Sequence, residues 1–382
     1  MKKVIYISHA HLSEKLVRDW YIGYLQSRGV TVEFWDLVPL LFGDIVEVNS
    51  IKRDFVFTPS SYGEIENHLQ LHGNRDAIYV MLMNFEGRFR RIYRLMSKYN
   101  CRMFFMAWGA FPFKTAPKWL KLLRGLAHPA KLARIIFHKI SAIIDIKLRL
   151  VKPFDVVFGA GYAISKAFPD AGKVVHTNLP DYDRYMAEKD KKVGTVEGDY
   201  AVFVDICLPF HPDNAIEGLA PIDPNRYFAS LNHFFDILER KTGQKVVIAA
   251  HPQSDYDETT FNRRKIFKGC TEDLVRNAQM VISHHSTSTS YAVLNEKPVV
   301  FIYTNEIKQK RKHTLFSQIK DFADYLDAEI YNVDELSNGD QVNIRPINKT
   351  CYDKYKYDFL TTRESEHTSA QDIFWREVKN YG

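Results

Sequence analysis

Cysteines are few in this sequence and long apolar runs are missing from it, and each lack narrows the class of protein. Only four of the 382 residues are cysteine, and none stands in a C-x-x-C pair or at zinc-finger spacing to a histidine. This argues against a disulfide framework and a structural zinc site. No window holds about 18 or more uncharged apolar residues, so we predict no membrane-spanning helix. The first apolar run ends after four residues, which is too short for a signal-peptide core, and we expect a cytoplasmic protein.

The length and composition fit a folded protein with two domains. Apolar residues make up 46% and charged residues 26% of the chain, as in ordinary globular proteins, and 382 residues exceed what one compact core accommodates. Short apolar strands alternate with helices in both halves, which predicts parallel sheets and an α/β fold. We predict a Rossmann-like domain over residues 1–180, a linker over 181–199, a second such domain over 200–367, and a C-terminal helix, 368–382, that returns to the first domain.

The positive charge is concentrated in one segment of the first domain. The chain has a net charge of +6, but residues 114–152 contain ten Lys or Arg and one acid, Asp145. This net +9 leaves the rest mildly acidic, so nucleic-acid binding is not expected. Apolar residues recur in the segment at steps of three and four, the pattern of basic amphipathic helices. Such helices bind the anionic inner face of a membrane; the alternative is a solvated helical pair whose apolar stripe packs on the first domain. The residues predicted to contact the membrane are Lys118, Trp119, Lys121, Arg124, Lys131 and Arg134.

A histidine and a proline follow a buried strand in the second half, in VVIAAHPQSDYD. His251 would stand just past the carboxyl end of that strand, where open α/β sheets bind ligands. Its imidazole could donate a hydrogen bond to a phosphate or to a leaving-group oxygen and titrates near neutral pH, while Pro252 restricts the turn. The alternative is a turn histidine that only caps a backbone carbonyl.

Five hydroxyl residues open the helix predicted after a later strand, in VISHHSTSTSYAVLNEKP. Hydroxyls beside the N–H groups of a helix start form an anion site, so we predict that Ser286, Thr287 and Ser288 bind a phosphate. A helix cap needs only one such hydroxyl, which is the simpler alternative. His285 precedes them and could contribute. Glu296, at the far end of the helix, is too distant for the same phosphate, and we expect it in the C-terminal turn.

Other polar residues fall where predicted strands end. Asp205 lies late in the first strand of the second domain. Because a carboxylate is costly to bury in an apolar strand, it either lines the ligand cleft as a catalytic group or caps the next turn. Ser8, His9 and His11 follow the first strand of the chain, and we predict that they contact the acceptor or the sugar. A metal at these histidines is not expected, since no carboxylate partner is evident.

Together, the His-Pro pair after one strand and the Ser/Thr-rich start of a later helix resemble the donor half of GT-B glycosyltransferases. The pattern is similar to that of bacterial CMP-sugar-using enzymes, the sialyltransferase and polysialyltransferase groups, and of surface-polysaccharide biosynthesis proteins. The resemblance covers residues 200–304. It implies two Rossmann-like domains facing across a cleft, with His251 and Pro252 in the His-Pro role and residues 286–288 holding the CMP phosphate.

The same resemblance implies an acidic motif, D/E-D/E-G, that supplies a general base in the first domain. The nearest string is Asn84-Phe85-Glu86-Gly87, which departs from the motif at its first two positions. Glu86 is the candidate base, since an inverting transfer needs a group that takes the acceptor hydroxyl proton. An ordinary surface acid is the alternative.

The sequence therefore predicts a metal-independent glycosyltransferase, peripheral on the inner face of the cytoplasmic membrane. It would move a sugar, plausibly an ulosonic acid, from a CMP-linked donor to a lipid-linked surface glycan, with no cofactor besides that co-substrate. Three alternatives remain: a UDP-sugar-using GT-B glycosyltransferase, a sugar-nucleotide 2-epimerase, and a non-catalytic subunit that docks a polysaccharide complex on the membrane.

Overall fold

The chain forms two compact units. The computed structural model describes residues 3–43, 50–71, 77–107, 110–113, 129–191, 194–211, 214, 219–337 and 342–381. The first unit contains the described residues of Met1–Ala110, Pro117–Pro180 and Thr361–Gly382, and the second those of Phe111–Ala116 and Asp181–Leu360.

A seven-stranded parallel sheet, in the order β3-β2-β1-β4-β5-β6-β7, organises the first unit. Its strands are β1 (Lys3–Ser8), β2 (Thr31–Asp36), β3 (Val56–Phe57), β4 (Ala77–Met81), β5 (Arg102–Ala107), β6 (Val156–Ala160) and β7 (Val174–Thr177). Its helices are α1 (Glu14–Asp19), α2 (Ile22–Ser27), α3 (Val38–Phe42), α4 (Tyr62–Leu71), α5 (Arg90–Lys98), α6 (Pro129–Lys147) and α14 (Ala370–Asn380).

The second unit has a six-stranded parallel sheet in the order β10-β9-β8-β11-β12-β13. Its strands are β8 (Tyr200–Val204), β9 (Lys245–Ala250), β10 (Ile266–Lys268), β11 (Met280–Ser283), β12 (Val299–Tyr303) and β13 (Glu329–Asn332). Its helices are α7 (Pro180–Glu188), α8 (Pro224–Thr242), α9 (Thr271–Asn277), α10 (Thr289–Leu294), α11 (Asn305–Lys310), α12 (Leu315–Leu326) and α13 (Lys349–Tyr355).

Both sheets are covered on both faces, which explains their continuously apolar strands. All five residues of β4 and of β8 are buried. In β1, Ile5 and Ile7 belong to one apolar cluster, whereas Val4 and Tyr6 belong to another on the opposite face. Successive side chains of a strand point to opposite faces, so helices must pack on each side of such a sheet.

The C-terminal helix belongs to the first unit, as the sequence predicted. Ser369 caps α14 by accepting the N–H of Asp372, and Phe374 packs against Phe158 of β6 with ring centroids 5.2 Å apart. Between β1 and β2 the chain forms two short helices, α1 and α2, because Tyr21 adopts a left-handed conformation (φ 58°) between them.

The segment predicted to be a linker, residues 181–199, contains most of α7 and lies in the second unit. The end of α7 is held to α9, where Arg276 donates to the carbonyl of Glu188 (3.1 Å) and to the carboxylate of Glu272 (2.8 Å). Burial, then the hydrogen bond with the Glu188 carboxylate, raises the pKa of Glu272 to about 7.

Each sheet has one point where the strand order reverses. In the first unit this point lies between β1 and β4, and in the second between β8 and β11. Open α/β sheets bind ligands at the carboxyl ends of the strands at such a switch point. The candidate sites are therefore the loops that follow β1 and β4, and those that follow β8, β9 and β11.

Candidate functional site

Asp205 organises the switch point of the second unit. It follows β8 and is only 4% exposed. Its Oδ1 accepts the N–H of Cys207 (2.9 Å), and its Oδ2 accepts both the N–H of His251 (3.1 Å) and the hydroxyl of Tyr256 (3.0 Å). Burial raises the pKa of the Asp205 carboxyl, while these three donors act to lower it. The carboxylate caps two loops, which is the second of the two roles that the sequence left open, and it does not line an open cleft.

The imidazole of His251 is orientated by its own loop. Its Nδ1 accepts the N–H of Gln253 at 3.2 Å, which places the proton of the neutral ring on Nε2. The ring lies 5.3 Å, centroid to centroid, from that of His211, in the loop after β8. His251 is half-buried and Pro252 is exposed. The structure therefore presents one imidazole N–H donor at the predicted strand end.

The predicted hydroxyl cluster forms a turn and not the first turn of a helix. Ser286, Thr287 and Ser288 precede α10, which begins at Thr289. Ser286 accepts the N–H of Ser288 through its Oγ (3.2 Å), so one hydroxyl caps the turn. Within the described part of the chain, the N–H groups of Ser286 and Thr287 have no acceptor. All three residues are at least partly exposed, and the turn therefore offers both N–H and hydroxyl donors.

Two buried hydroxyls border this turn without a hydrogen bond. Among the described residues, Ser283 Oγ at the end of β11 and Thr289 Oγ1 at the start of α10 have no partner. An unsatisfied buried polar group costs about 1–3 kcal/mol. A ligand rich in acceptor oxygens, or ordered water, is what such hydroxyls require.

The two histidines before the turn are engaged within the second unit. His284 is fully buried, between the hydroxyl of Tyr227 (2.8 Å) and the carbonyl of Ile302 (2.7 Å), and burial lowers its pKa to about 4. His285 bonds Gln318 at 2.9 Å and stacks on Phe322, and burial lowers its pKa too. These contacts explain both residues as packing groups, and they disfavour the predicted donor-binding role of His285.

His251 and the 286–288 turn do not follow adjacent strands. Strand β8 separates β9 from β11, and neighbouring strands lie about 4.8 Å apart. Two strand spacings therefore put the backbones of the two strand ends about 10 Å apart. Asp205 and the loop after β8 lie between the two strand ends. A phosphate with its attached groups could span this distance.

A cavity of about 630 Å³ opens beside the loop that follows His251. Phe228 of α8 stacks with Phe210 (6.2 Å) and meets Tyr256 edge-on (5.6 Å). Asn225, Asp255 and Thr259 add polar groups to the same walls. The cavity thus combines aromatic faces with a polar rim. Phe210, at its mouth, is 57% exposed.

The loop after β1 contains a histidine–carboxylate pair that the sequence did not indicate. His11 Nδ1 lies 2.6 Å from Oδ2 of Asp36, the last residue of β2. The other oxygen of Asp36 accepts the N–H of Val38 at 3.0 Å. Strands β1 and β2 pair in parallel with Ser8 opposite Asp36, which brings residues distant in sequence together at one sheet edge. An imidazole held in this way is suited to act as a proton acceptor.

The other two residues predicted after β1 have local roles. Ser8 is 2% exposed, and its hydroxyl bonds the carbonyl and the N–H of Ala10, at 2.8 and 3.0 Å. This closes the turn that aims the loop, so Ser8 is not placed to contact a sugar as predicted. The ring of His9 packs at 5.5 Å from Phe89.

Glu86 is placed after β4, but its side chain pairs with Arg88. Glu86 Oε2 lies 2.8 Å from Arg88 Nε, and the Glu86 side chain is 52% exposed. The following Gly87 has a packing role, since a Cβ there would lie 2.5 Å from the carbonyl oxygen of His138 in α6. The string Asn84–Gly87 therefore packs against α6, and the ion pair of the exposed Glu86 with Arg88 favours the surface-acid alternative.

The basic segment is described from α6 onwards. Lys118, Trp119, Lys121 and Arg124 lie outside the described residues, and for Lys131 and Arg134 only the backbone is described. In the described part of the chain, no helix is both long and apolar enough to cross a membrane. Nor do the described residues bring three or more His, Cys, Asp or Glu side chains together as metal ligands. Glu296 follows α10 and pairs with Lys349 at 3.3 Å, as expected for a residue of the C-terminal turn.

Comparisons with known proteins support the fold and nothing finer. No family model and no curated protein matches this chain. Among solved structures, it is similar to the wall teichoic acid polymerase TagF over 99% of this chain and 89% of that one, with 11% identity and a TM-score of 0.51. It is also similar to MurG from Acinetobacter baumannii over the full length of both chains, with 11% identity and a TM-score of 0.45.

The predicted fold class is thereby confirmed. Two parallel sheets of seven and six strands, each with one switch point, and the similarity to TagF along almost the whole chain define an α/β protein of the GT-B type. At 11% identity the likeness extends to the fold alone.

Proposed function

We propose that this protein is a nucleotide-sugar-dependent glycosyltransferase. The observation that carries the proposal is the donor set at the switch point of the second unit: the imidazole N–H of His251 and the N–H and hydroxyl groups of the 286–288 turn. A nucleotide leaving group is a phosphate anion, and such donors bind phosphate oxygens directly. The unsatisfied hydroxyls of Ser283 and Thr289 would gain acceptors if a phosphate bound there.

In the first unit, His11 and Asp36 would activate the acceptor. His11, orientated through Nδ1 by Asp36, takes the proton of an acceptor hydroxyl on Nε2 while that oxygen forms a bond to the anomeric carbon. The bond from the anomeric carbon to the phosphate oxygen breaks, and its electron pair leaves with the nucleotide. The Asp36 carboxylate would stabilise the imidazolium that forms. This assigns to His11 the base role first predicted for Glu86.

The cavity next to His251 would receive the sugar ring of the donor. Carbohydrate rings have C–H faces that pack on aromatic rings and hydroxyl edges that need polar partners. Phe210 and Phe228 offer the first, and Asn225 and Asp255 the second. Through Tyr256, one wall of the cavity shares the Asp205 carboxylate with His251, so a ring in the cavity lies close to the proposed phosphate donors.

We further propose a CMP-linked donor of an ulosonic acid and a lipid-linked glycan acceptor at the inner face of the cytoplasmic membrane. The support is the order of the His-Pro and Ser/Thr motifs and the +9 segment over residues 114–152. The proposed reaction requires no metal or further cofactor, because N–H and hydroxyl donors would stabilise the charge of the leaving group.

Nucleotide-dependent thermal shifts test the donor. CMP, CMP-sialic acid, CMP-Kdo, UDP and UDP-hexoses are compared on the wild type and on His251→Ala. Stabilisation by CMP species that is lost in the variant supports the assignment. Stabilisation by UDP species alone contradicts the CMP donor and leaves a UDP-sugar enzyme. If no nucleotide stabilises the protein, the transferase proposal fails in favour of a non-catalytic subunit.

A second experiment separates transfer from epimerisation. The nucleotide sugar that binds is incubated with and without a membrane lipid extract, and free nucleotide and epimerised sugar nucleotide are measured. Nucleotide release that depends on the extract is expected. Epimerisation without any acceptor would instead identify a 2-epimerase.

A further inference from the structure

Helix α6 presents its apolar side chains outwards. Ile136, Ile140, Ile143 and Ile144 recur at steps of three and four and form one face of the helix. They are 41%, 52%, 52% and 43% exposed. The same exposed surface is extended by Phe137, Ile146, Leu148 and Leu150. Folded monomers seldom expose a contiguous apolar surface of this kind unless something binds it. For the described side chains of α6, the packing alternative, an apolar stripe directed at the first domain, does not hold.

Among the described side chains of α6, those that pack on the first unit are small or polar. Ser141 and Asp145 are 5% and 0% exposed, and His138 lies against Gly87 at the distance that only a glycine permits. For this described part of the helix, the hydrophobic effect does not explain the orientation. Specific contacts must do so.

Asp145 supplies those contacts. Arg90 of α5 donates to Oδ2 (3.0 Å) and Oδ1 (2.8 Å), and Arg94 donates to Oδ1 (3.2 Å from Nε). Burial raises the pKa of Asp145, but the hydrogen bonds from the two arginines outweigh it and hold the pKa below its usual value. The one acid of the basic segment is therefore neutralised inside the molecule, and it locks α6 in the orientation that exposes its isoleucines.

Positive charge accompanies the exposed apolar face. Lys139, Lys147 and Arg149 are exposed, and residues 129–152 contain six Lys or Arg against the single buried acid. An anionic lipid surface complements this charge, and isoleucine and phenylalanine side chains enter the boundary between headgroups and acyl chains. A second copy of the chain on the same face would bring like charges together, which is unfavourable.

We propose that α6 is the membrane-docking element of this protein, lying in the interface of an anionic bilayer with Ile136, Ile140, Ile143 and Ile144 immersed. The inference rests on the membrane-bound acceptor of the proposed function. It adds the exposed isoleucine face of α6 to the membrane contact predicted for residues 118–134.

Vesicle co-sedimentation of the full chain tests this docking. Vesicles of phosphatidylcholine with phosphatidylglycerol are compared with pure phosphatidylcholine, for the wild type and for the double variant Ile140→Glu/Ile143→Glu. Phe42→Glu is the matched control, because Phe42 is an exposed apolar residue of the same unit outside α6 (40% exposed). Binding of the wild type to anionic vesicles, lowered on the order of 100-fold in the double variant and unchanged in the control, is expected.

Three outcomes would overturn the proposal. These are no vesicle binding by the wild type, equal binding by the double variant, and a wild-type dimer in light scattering that the double variant converts to monomer. Thermal melts check that the surface substitutions leave the fold intact. Nucleotide-induced thermal shifts on the same preparations separate this failure from failure of the glycosyltransferase proposal, since nucleotide binding does not depend on α6.

Discussion

The sheets of the two units have similar strand orders, yet each unit uses a carboxylate at the end of a strand in a different way. In the first unit Asp36 ends β2 and holds the side chain of His11. In the second, Asp205 follows β8 and accepts two backbone N–H groups and a tyrosine hydroxyl. A carboxylate that holds an imidazole prepares a proton acceptor, whereas one that holds backbone amides stabilises loops that must receive an anion. The fold provides the position, and the bonding partner of the carboxylate decides its use.

The largest expected effect is on the proton acceptor of the first unit. His11→Ala should lower the rate of acceptor-dependent nucleotide release about 100–1,000-fold, as for removal of a general base, while nucleotide-induced thermal shifts stay as in the wild type. Glu86→Gln is the matched control and should change the rate less than about threefold, since Glu86 pairs with Arg88 at the surface. A large loss in Glu86→Gln with little change in His11→Ala would reverse this assignment.

The next effect concerns the ion pairs of Asp145 with Arg90 and Arg94, which hold α6. Asp145→Asn leaves two arginines facing a neutral amide, and breaking a buried ion pair costs about 3–5 kcal/mol. We expect a loss of about 3 kcal/mol in chemical denaturation, because both arginines keep partial contact with solvent. Glu66→Gln, which removes the surface partner of Lys98, should cost far less than Asp145→Asn, because water and salt screen an exposed ion pair. Equal losses of unfolding free energy in the two variants would show that the Asp145 ion pairs are no stronger than a surface pair.

The phosphate donors of the second unit should show a smaller effect, and one confined to binding. His251→Ala should weaken nucleotide affinity about tenfold to 100-fold in calorimetry, the size expected for a hydrogen bond to a charged group. His233→Ala, a half-buried histidine of α8 outside the switch point, is the control and should bind nucleotide as the wild type does. Unaltered affinity in His251→Ala would remove the basis for the donor site.

The aromatic mouth of the cavity can be probed separately. Phe210→Ala should weaken binding of the complete nucleotide sugar about threefold to tenfold. Binding of the nucleoside monophosphate should stay unchanged, because the phenyl ring is proposed to pack on the sugar alone. If both ligands lose affinity equally, the cavity holds the nucleoside; if neither does, it holds no part of the donor.

The smallest expected effect distinguishes the two units by pH. Glu272 has a pKa of about 7 in the folded protein against a usual 4.5. Its stabilising contribution is therefore complete below the lower value and is lost as the pH rises through about 7. The lowered pKa of Asp145 has the opposite sign, since its contribution is present near neutral pH and is lost in acid.

Melting temperatures between pH 5 and 8 provide the measurement. Glu272→Gln should flatten the decline of stability over this range by about 1 kcal/mol. Asp145→Asn should instead lower stability throughout the range and leave its slope unchanged, because the lowered pKa of Asp145 places its titration below pH 5. A decline that persists unchanged in Glu272→Gln would assign it to another group.

Much of the candidate site could be predicted from the sequence, because the ends of apolar strands can be recognised in it. The rhythm of apolar runs placed His251 and Ser286 after strands, and parallel pairing brings strand ends to one edge. The strand order could not be predicted, and therefore the position of β8 between the strands that precede the two motifs was not foreseen. His11 and Asp36, 25 residues apart, meet only because β1 and β2 are neighbours. The direction of α6 was equally hidden, since periodicity marks an apolar stripe without saying whether protein or solvent covers it.

Local periodicity and turn chemistry were enough to predict the α/β class, the alternation of strands and helices in both units, and the residue types at each strand end. Which of those residues are in contact depends on the tertiary fold. In the folded chain Asp36 bonds His11, and Asp205 accepts backbone N–H groups. The ion pairs of Asp145 with two arginines hold α6 with its isoleucines exposed. Such choices depend on which strands and helices become neighbours, and neighbours distant along the chain leave no local pattern in it.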